Sequence, residues 1–321
     1  MKAAVVREFG RPPTYSEFPD PVSRPGETVI SVAAAAVSHL VVSRVEGTHY
    51  SSGTSPPFVP GVDGVGRTAD GKPVYFAFPT PPWGSMAERT TVSVDCITPL
   101  PDDLDVTAAA AAANAGMSCW IPLTLKARIA PGESVLVNGA TGISGQMAVQ
   151  VAKHLGASKV IATGRDDTKL RALQELGADI VISLRQSPEE LRERLRSIAR
   201  ECRVGVVLDY LWGSSAEAIL AALGGPAAPR GPSRIRYVEV GSVAGPAVSL
   251  DGALLRSSGV EILGTGLGSS TYPEIVTGIG QFLRALPTAR FRIATEAHPL
   301  SEVERAWARA SGEARLVFTI P

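Results

Sequence analysis

Val135-Leu136-Val137-Asn138-Gly139-Ala140-Thr141-Gly142-Ile143-Ser144-Gly145 is an apolar run that enters a turn carrying a glycine at every third position. Helical periodicity takes over at once. Ile143, Met147 and Val151 recur one turn apart, Ala148, Ala152 and Leu155 widen the stripe, and Gly156 is placed to end the helix in a left-handed cap. A strand, a glycine turn and a helix in this order open a dinucleotide-binding unit. The glycines let the backbone turn tightly, approach a diphosphate with no side chain between, and pack the helix on the strand. The helix N-terminus then offers unpaired N–H groups and a positive dipole end to the phosphates. A turn that binds nothing is the alternative, and the strand and helix on either side argue against it. The predicted cofactor-binding stretch is Gly139, Ala140, Thr141, Gly142, Ile143, Ser144 and Gly145.

The end of the next strand selects the nucleotide. Folds that choose NAD place Asp or Glu about twenty residues past the turn, on the ribose hydroxyls. Here Val160-Ile161-Ala162 runs into Thr163-Gly164-Arg165, with Lys169 one turn further on and no carboxylate at the strand end. Arg165 offers a planar fork to a 2′-phosphate and Lys169 a second cation. NADPH is therefore the expected cofactor, with Thr163, Gly164, Arg165 and Lys169 at its adenosine ribose. Asp166 and Asp167 follow directly and can instead pair with Arg165, which would leave these residues as loop charges.

Outward from this point, short uniformly apolar runs alternate with helical stretches: Ile180-Val181-Ile182, then residues 204–208, then Tyr237-Val238-Glu239-Val240, then residues 260–263. That rhythm predicts a parallel sheet covered on both faces. Leu191, Leu195 and Ile198, interleaved with Arg192, Arg194, Arg196, Arg200 and Arg203, read as one amphipathic helix with a solvated basic face. Before the block, Thr28-Val29-Ile30-Ser31-Val32 and Val74-Tyr75-Phe76-Ala77-Phe78 are strand-like runs cut by Pro and Gly, and residues 51–60 read as a loop. A helical stretch from about Asp102 runs through the alanine block to Trp120, and the Gly/Pro cluster at residues 224–233 reads as a surface loop. The expected organisation is α/β: a doubly wound domain, residues 118–264, inserted in a β-rich domain made of residues 1–117 and 265–321.

Composition narrows the function classes. Lys+Arg and Asp+Glu are both 31, so no net field draws in nucleic acid or an anionic membrane. The charged start has too short an apolar run for a signal peptide, and the alanine block stops at Asn114, so no membrane span is expected. The three cysteines, Cys96, Cys119 and Cys202, are far apart with no CxxC pair, which fits a reducing cytoplasm rather than a disulfide or zinc framework.

An ordered series of motifs resembles the medium-chain dehydrogenase/reductase superfamily, in its zinc-lacking quinone oxidoreductase-like branch. The series runs almost end to end: Met1-Lys2-Ala3-Ala4-Val5; Pro57-Phe58-Val59-Pro60-Gly61-Val62-Asp63-Gly64-Val65-Gly66; Gly84-Ser85-Met86-Ala87-Glu88; Asn114-Ala115-Gly116-Met117-Ser118; the glycine turn; Gly205-Val206-Val207-Leu208-Asp209; Val240-Gly241-Ser242; and Leu263-Gly264-Thr265-Gly266-Leu267-Gly268. The resemblance implies a Rossmann domain inserted in a GroES-like catalytic domain, a small-molecule quinone or enone substrate, and a homodimer paired along residues 260–263. It also implies cofactor contacts from Ser118, Val240, Ser242, Thr265 and Leu267. Zinc members have a Cys in the segment matching Ser38 and a His at the position matching Val62. Neither residue here is a useful zinc ligand, so no catalytic metal is expected.

Without a Lewis acid, hydride delivery suits conjugated acceptors, in which incoming charge delocalises before a proton arrives. By resemblance Tyr50 stands where relatives carry an active-site Tyr. A phenol, ordinarily titrating at about pH 10, stays protonated and can donate; the alternative is a loop aromatic that only packs. Ser38 replaces the Asn usual near the nicotinamide and is the second catalytic candidate. Tyr210 and Trp212, where relatives have small residues, either wall the substrate cleft or pack at the sheet edge. Three functions stay open: an NADPH-dependent quinone or enone reductase, a 2-enoyl thioester reductase of fatty-acid or secondary metabolism, and an NADPH-binding sensor or structural protein.

Overall fold

Branched and small residues recur in the N-terminal strands: β1 (Lys2–Val5), β2 (Thr14–Glu17), β3 (Glu27–Ala36), β4 (Asp63–Arg67), β5 (Pro73–Ala77), β6 (Arg89–Ser93) and β7 (Ile97–Pro99). Between β3 and β4 lies the short helix α1 (His39–Val45), and after β7 comes α2 (Val106–Ile121). The computed structural model describes residues 1–49, 54–224, 234–310 and 312–321. Tyr50 and residues 225–233 of the predicted Gly/Pro loop lie outside the described residues.

The central block follows as β8 (Ser134–Asn138), α3 (Ile143–His154), β9 (Lys159–Gly164), α4 (Asp167–Glu175), β10 (Ile180–Ser183), α5 (Pro188–Cys202), β11 (Val204–Asp209), α6 (Gly213–Leu223), β12 (Ile235–Glu239), α7 (Gly252–Ser257) and β13 (Val260–Gly264). The chain closes with α8 (Tyr272–Ala289), β14 (Thr295–Pro299), α9 (Val303–Ala306) and β15 (Arg315–Thr319). It divides into two units, Met1–Met117 with Thr271–Pro321, and Ser118–Ser270. The second junction lies a few residues beyond the 264/265 boundary expected from sequence.

In the first unit, β14, β15, β3, β4, β5 and β7 form one sheet, with β6 on β3. Its core includes Val5, Ile30, Phe76, Met86, Leu316 and Phe318. The expectation that no stretch reaches membrane-spanning length is corrected here. Residues Val106–Lys126 form a helix of 21 residues with mean hydropathy 1.2, long and apolar enough by composition to cross a bilayer. The helix continues past Asn114 because the apolar residues after it keep the pattern going, and 67% of that window is buried within the protein.

In the second unit, all six strands are parallel in the order β10, β9, β8, β11, β12, β13. This is the doubly wound, Rossmann-type order, and every strand's C-terminal end lies on one edge of the sheet. The core on one face packs Leu191, Leu195 and Ile198 of α5 against Val207, Ile219 and Tyr237. A capping box of Ser187 and Glu190 starts α5, and Arg203 ends it in a left-handed conformation. Cys96 and Cys119 are buried, Cys202 is half-buried, and all three are free.

Among the described residues, one carboxylate is buried in the first unit. Asp63 is 3% exposed; Tyr75 Oη donates to its Oδ2 at 3.0 Å, and β15 supplies the buried Arg315, whose Nη1 donates to Val37 O at 2.9 Å. Burial pushes the Asp63 carboxyl up to about 6 from 3.8, against the opposing pull of the Tyr75 hydrogen bond and the Arg315 charge. The folded chain thus holds this proton more tightly than the unfolded chain. Its contribution is largest below the unfolded value and is lost as pH rises through the folded one. Thermal melts of Asp63→Asn against the native protein should therefore shift in the variant's favour between about pH 4 and about pH 7. A shift in the native protein's favour would mean that Asp63 is stabilised as the anion.

Candidate functional site

The C-terminal edge of the parallel sheet gathers most of the predicted residues. At its centre, β8 ends in Asn138 and the chain turns through Gly139, whose φ of +85° suits glycine. Asn138 is fully buried. Its Nδ2 donates to Asp209 Oδ1 at 2.7 Å and to Ser215 Oγ at 2.9 Å, and its Oδ1 accepts from Thr163 Oγ1 at 2.6 Å. Asp209 Oδ1 also accepts from the N–H groups of Leu211 (2.8 Å) and Trp212 (3.0 Å), and Tyr237 donates to its Oδ2. One polar network therefore joins the ends of β8, β9, β11 and β12.

The backbone itself tests whether this turn fits a dinucleotide. A Cβ on Gly145 would lie 2.5 Å from Ala140 Cα, so the helix rests directly on the turn. At Gly142 a Cβ would meet nothing within 4 Å, and the residue is exposed. Gly142 is also the N-cap of α3 and offers no side-chain acceptor, so the first-turn N–H groups face outward uncapped. An open glycine surface backed by an uncapped helix N-terminus is an anion cradle.

The predicted stretch divides into shaping and presenting residues. Gly139 N donates to Thr163 Oγ1 at 3.2 Å and Ala140 N to Thr163 O at 2.8 Å, while Gly145 packs, so these three shape the turn. Thr141, Gly142, Ile143 and Ser144 present its accessible surface. Thr163 is a correction: it is 0% exposed, because β9 is covered on both faces, and its side chain holds Asn138. It cannot reach a ribose from there. Gly164 is buried against Thr141, where a Cβ would lie 2.5 Å from Cγ2.

Arg165 is exposed and has no hydrogen bond or ion pair among the described residues. Asp166 does not pair with it. The Asp166 carboxylate caps α4, accepting from Thr168 N and Lys169 N at 3.0 Å each. Those bonds, the one from Lys169 foremost, hold its carboxyl below the usual range. Lys169 sits in the first turn of α4. Arg185 was missed in the sequence: Leu184 N donates to Gly164 O at 2.7 Å, which brings the exposed Arg185 beside the same strand end. Only the pairing of β10 with β9 reveals this.

On the other half of the edge, Val240 N donates to Asp209 O (2.8 Å) and Thr265 N to Glu239 O (3.0 Å), so Val240 and Thr265 directly follow β12 and β13. Ser242 is exposed and Leu267 half-buried just beyond them. Burial, then the Asp209 carboxylate, pushes the Glu239 carboxyl above its ordinary range. Ser118 lies in α2, where its carbonyl accepts from Tyr210 Oη at 2.8 Å. That bond ties Tyr210 to the helix. Trp212 packs edge-on against Tyr237, ring centroids 6.1 Å apart, in a left-handed conformation with φ of +59°.

In the first unit, Ser38 is 1% exposed and is the N-cap of α1, its Oγ accepting from Val41 N at 3.3 Å. Its O–H hydrogen and one lone pair are left for further bonds. Its neighbour His39 contacts Ser43 at 3.4 Å. Among the described residues, no group of three or more His, Cys, Asp or Glu is placed to hold a metal ion.

Comparison with known proteins agrees with this architecture. A family model for zinc-binding dehydrogenases matches residues 144–279, a stretch that excludes Ser38 and Val62. The probable NADPH-dependent quinone reductase tdiC of Emericella nidulans is 30% identical over 100% of both chains. An NADPH-dependent alkenal/one oxidoreductase of Arabidopsis thaliana is 31% identical over 60% of this chain and 55% of its own. The quinone oxidoreductase of Thermus thermophilus, solved also in complex with NADPH, superposes with a TM-score of 0.78 at 26% identity, covering 99% of this chain and 100% of that one.

Two alanine substitutions separate cradle from scaffold. Gly142→Ala should melt within about 2 °C of the native protein yet weaken NADPH binding by about tenfold, because its methyl enters open space over the helix N-terminus. Gly145→Ala should lower Tm by about 4 °C or more, because its methyl meets backbone. Equal effects in melting and in titration would refute this division of labour. By sequence and by fold, the chain belongs to the medium-chain dehydrogenase/reductase superfamily, in its quinone oxidoreductase-like branch.

Proposed function

We propose that the chain is an NADPH-dependent reductase that delivers hydride to a quinone or an α,β-unsaturated carbonyl without zinc. Arg165 carries the reading: an exposed guanidinium at the end of β9 with no partner among the described residues, where NAD-selecting folds hold a carboxylate. The reduced nicotinamide, when bound, supplies the hydride. The chain's own residues do the rest.

The open backbone from Thr141 to Ser144 and the first turn of α3 receive the diphosphate. Arg165, Arg185 and Lys169 supply positive charge for the 2′-phosphate. Val240, Ser242, Thr265 and Leu267, with Ser118, belong to the nicotinamide half by the family's pattern. Ser38 and Val62 replace the zinc ligands, so charge on the acceptor has to be met by delocalisation and hydrogen-bond donors. Tyr50 is the proposed proton donor and Ser38 a positioning group through its remaining O–H. The three free cysteines suit a cytoplasmic protein. A homodimer belongs to the same reading: β13 is the edge of its sheet, and Ile262 on it is 38% exposed.

The test is a titration with both coenzymes, followed by an acceptor panel of a quinone, an enone and an enoyl thioester. NADPH should bind more tightly than NADH, and Arg165→Ala should weaken NADPH by at least about tenfold while leaving NADH affinity in place. Tyr50→Phe should slow turnover by about a hundredfold. A native preference for NADH would overturn the cofactor assignment, and an unimpaired Tyr50→Phe would remove that phenol from the reaction.

A further inference from the structure

Phe78 directly follows β5 with a φ of +58°, in the left-handed region that a bulky residue rarely enters. Such a conformation persists only where the surroundings impose it, and strained residues of this kind cluster at active sites and ligand clamps. What imposes it here is a hydrogen bond of 2.7 Å from Phe78 N to Val62 O. Val62 directly precedes β4. Antiparallel β3 and β4 pair Ala34 with Val65, and that register, carried on, brings Val62 level with Val37, the neighbour of Ser38. Phe78, Val62 and Ser38 therefore mark one end of the sheet, where β5 and β3 finish and β4 begins.

The Phe78 ring stacks on Tyr272, centroids 4.2 Å apart and planes 21° from parallel. Tyr272 opens α8 under a capping box of Thr271 and Glu274, which fixes its backbone. It nonetheless remains 47% exposed. Its hydroxyl has no hydrogen-bond partner among the described residues. A pair serving only the core would bury both rings. This one spends backbone strain to hold aromatic surface at the same end of the sheet as Ser38.

We infer that Phe78 and Tyr272 form an aromatic platform on which a planar conjugated acceptor lies, favouring fused-ring quinones over acyclic enones. The inference rests on the reductase reading and names the acceptor class of that site. Offset stacking rewards a broad π face beyond the area it buries, and an acyclic enone offers a much smaller one. The ring of Tyr272 does this work and not its hydroxyl.

The experiment compares kcat/KM for 1,4-naphthoquinone with kcat/KM for methyl vinyl ketone, in the native protein and in Phe78→Gly, Tyr272→Leu and Tyr272→Phe. Glycine accepts the φ at position 78 without strain, so Phe78→Gly should keep its fold by circular dichroism. The ratio should fall about tenfold in Phe78→Gly and in Tyr272→Leu. Tyr272→Phe should restore it. A second measurement, calorimetric titration with 2-naphthol, which accepts no hydride, should show native affinity about tenfold above that of Tyr272→Leu. If the native protein turns over its acceptors while ratio and affinity are unmoved, the platform is wrong and the reductase reading stands. If the native protein reduces no acceptor, the reductase reading fails, and the 2-naphthol titration alone decides the platform.

Discussion

Everything at the dinucleotide edge depends on the side-chain amide of Asn138. It is fully buried, and its hydrogen-bonding capacity is taken up by Asp209, Ser215 and Thr163. A buried amide left half-satisfied costs more than an apolar residue in its place. The ends of β8, β9 and β11 must therefore hold their relative positions for the network to close, and Tyr237 adds β12 through Asp209. The glycine turn above gains its shape from this arrangement: Thr163, held by Asn138, receives the N–H groups of both Gly139 and Ala140. Asp209 reaches in the other direction and holds the N–H groups of Leu211 and Trp212, the latter at a φ of +59°. The presenting surface, Thr141 to Ser144, is what remains once the network's demands are met.

The first unit repeats the device with different residues. Asp63 is buried at the start of β4, takes a hydrogen bond from Tyr75 of β5, and shares its surroundings with Arg315 of β15, which grips the carbonyl of Val37. Sheet strands β3, β4, β5 and β15 thus meet around one carboxylate, as four parallel strands meet around Asp209 in the second unit. In both places a costly buried charge or amide sits just beneath the strand ends from which the functional residues project. Apolar residues of similar volume would fill either space, but they would leave the ends free to slide.

What was legible in the sequence was whatever is local. The run Val135 to Val137, the glycine spacing and the helical stripe after it lie within one strand, turn and helix, so their reading did not depend on the remainder of the chain. Arg165 was legible for the same reason, because it stands where a strand visibly ends. Thr163 was misread since its role depends on cover from elsewhere in the fold: β9 is buried from Val160 to Gly164, and the Thr163 hydroxyl is taken up by Asn138. Arg185 was invisible because its nearness to Gly164 arises only from β10 pairing with β9. The helix itself was read through to Trp120, but its apolar length was counted only as far as Asn114, although Ala115 and Met117 carry the apolar composition on.

The two kinds of recognition differ in how much sequence they leave behind. A diphosphate is met by backbone N–H groups, and the sequence must supply glycines at fixed spacing to expose them, which is a pattern any reader can count. An acceptor is met by side chains brought to one sheet end from elements distant in the chain, such as Phe78 after β5 and Tyr272 at the start of α8. No spacing links those two residues, and neither is unusual for its neighbourhood in the chain. Only the backbone conformation at Phe78 sets it apart, and conformation is a property the fold creates. Recognition of the diphosphate is therefore written in the turn, while recognition of the acceptor is written in the third dimension.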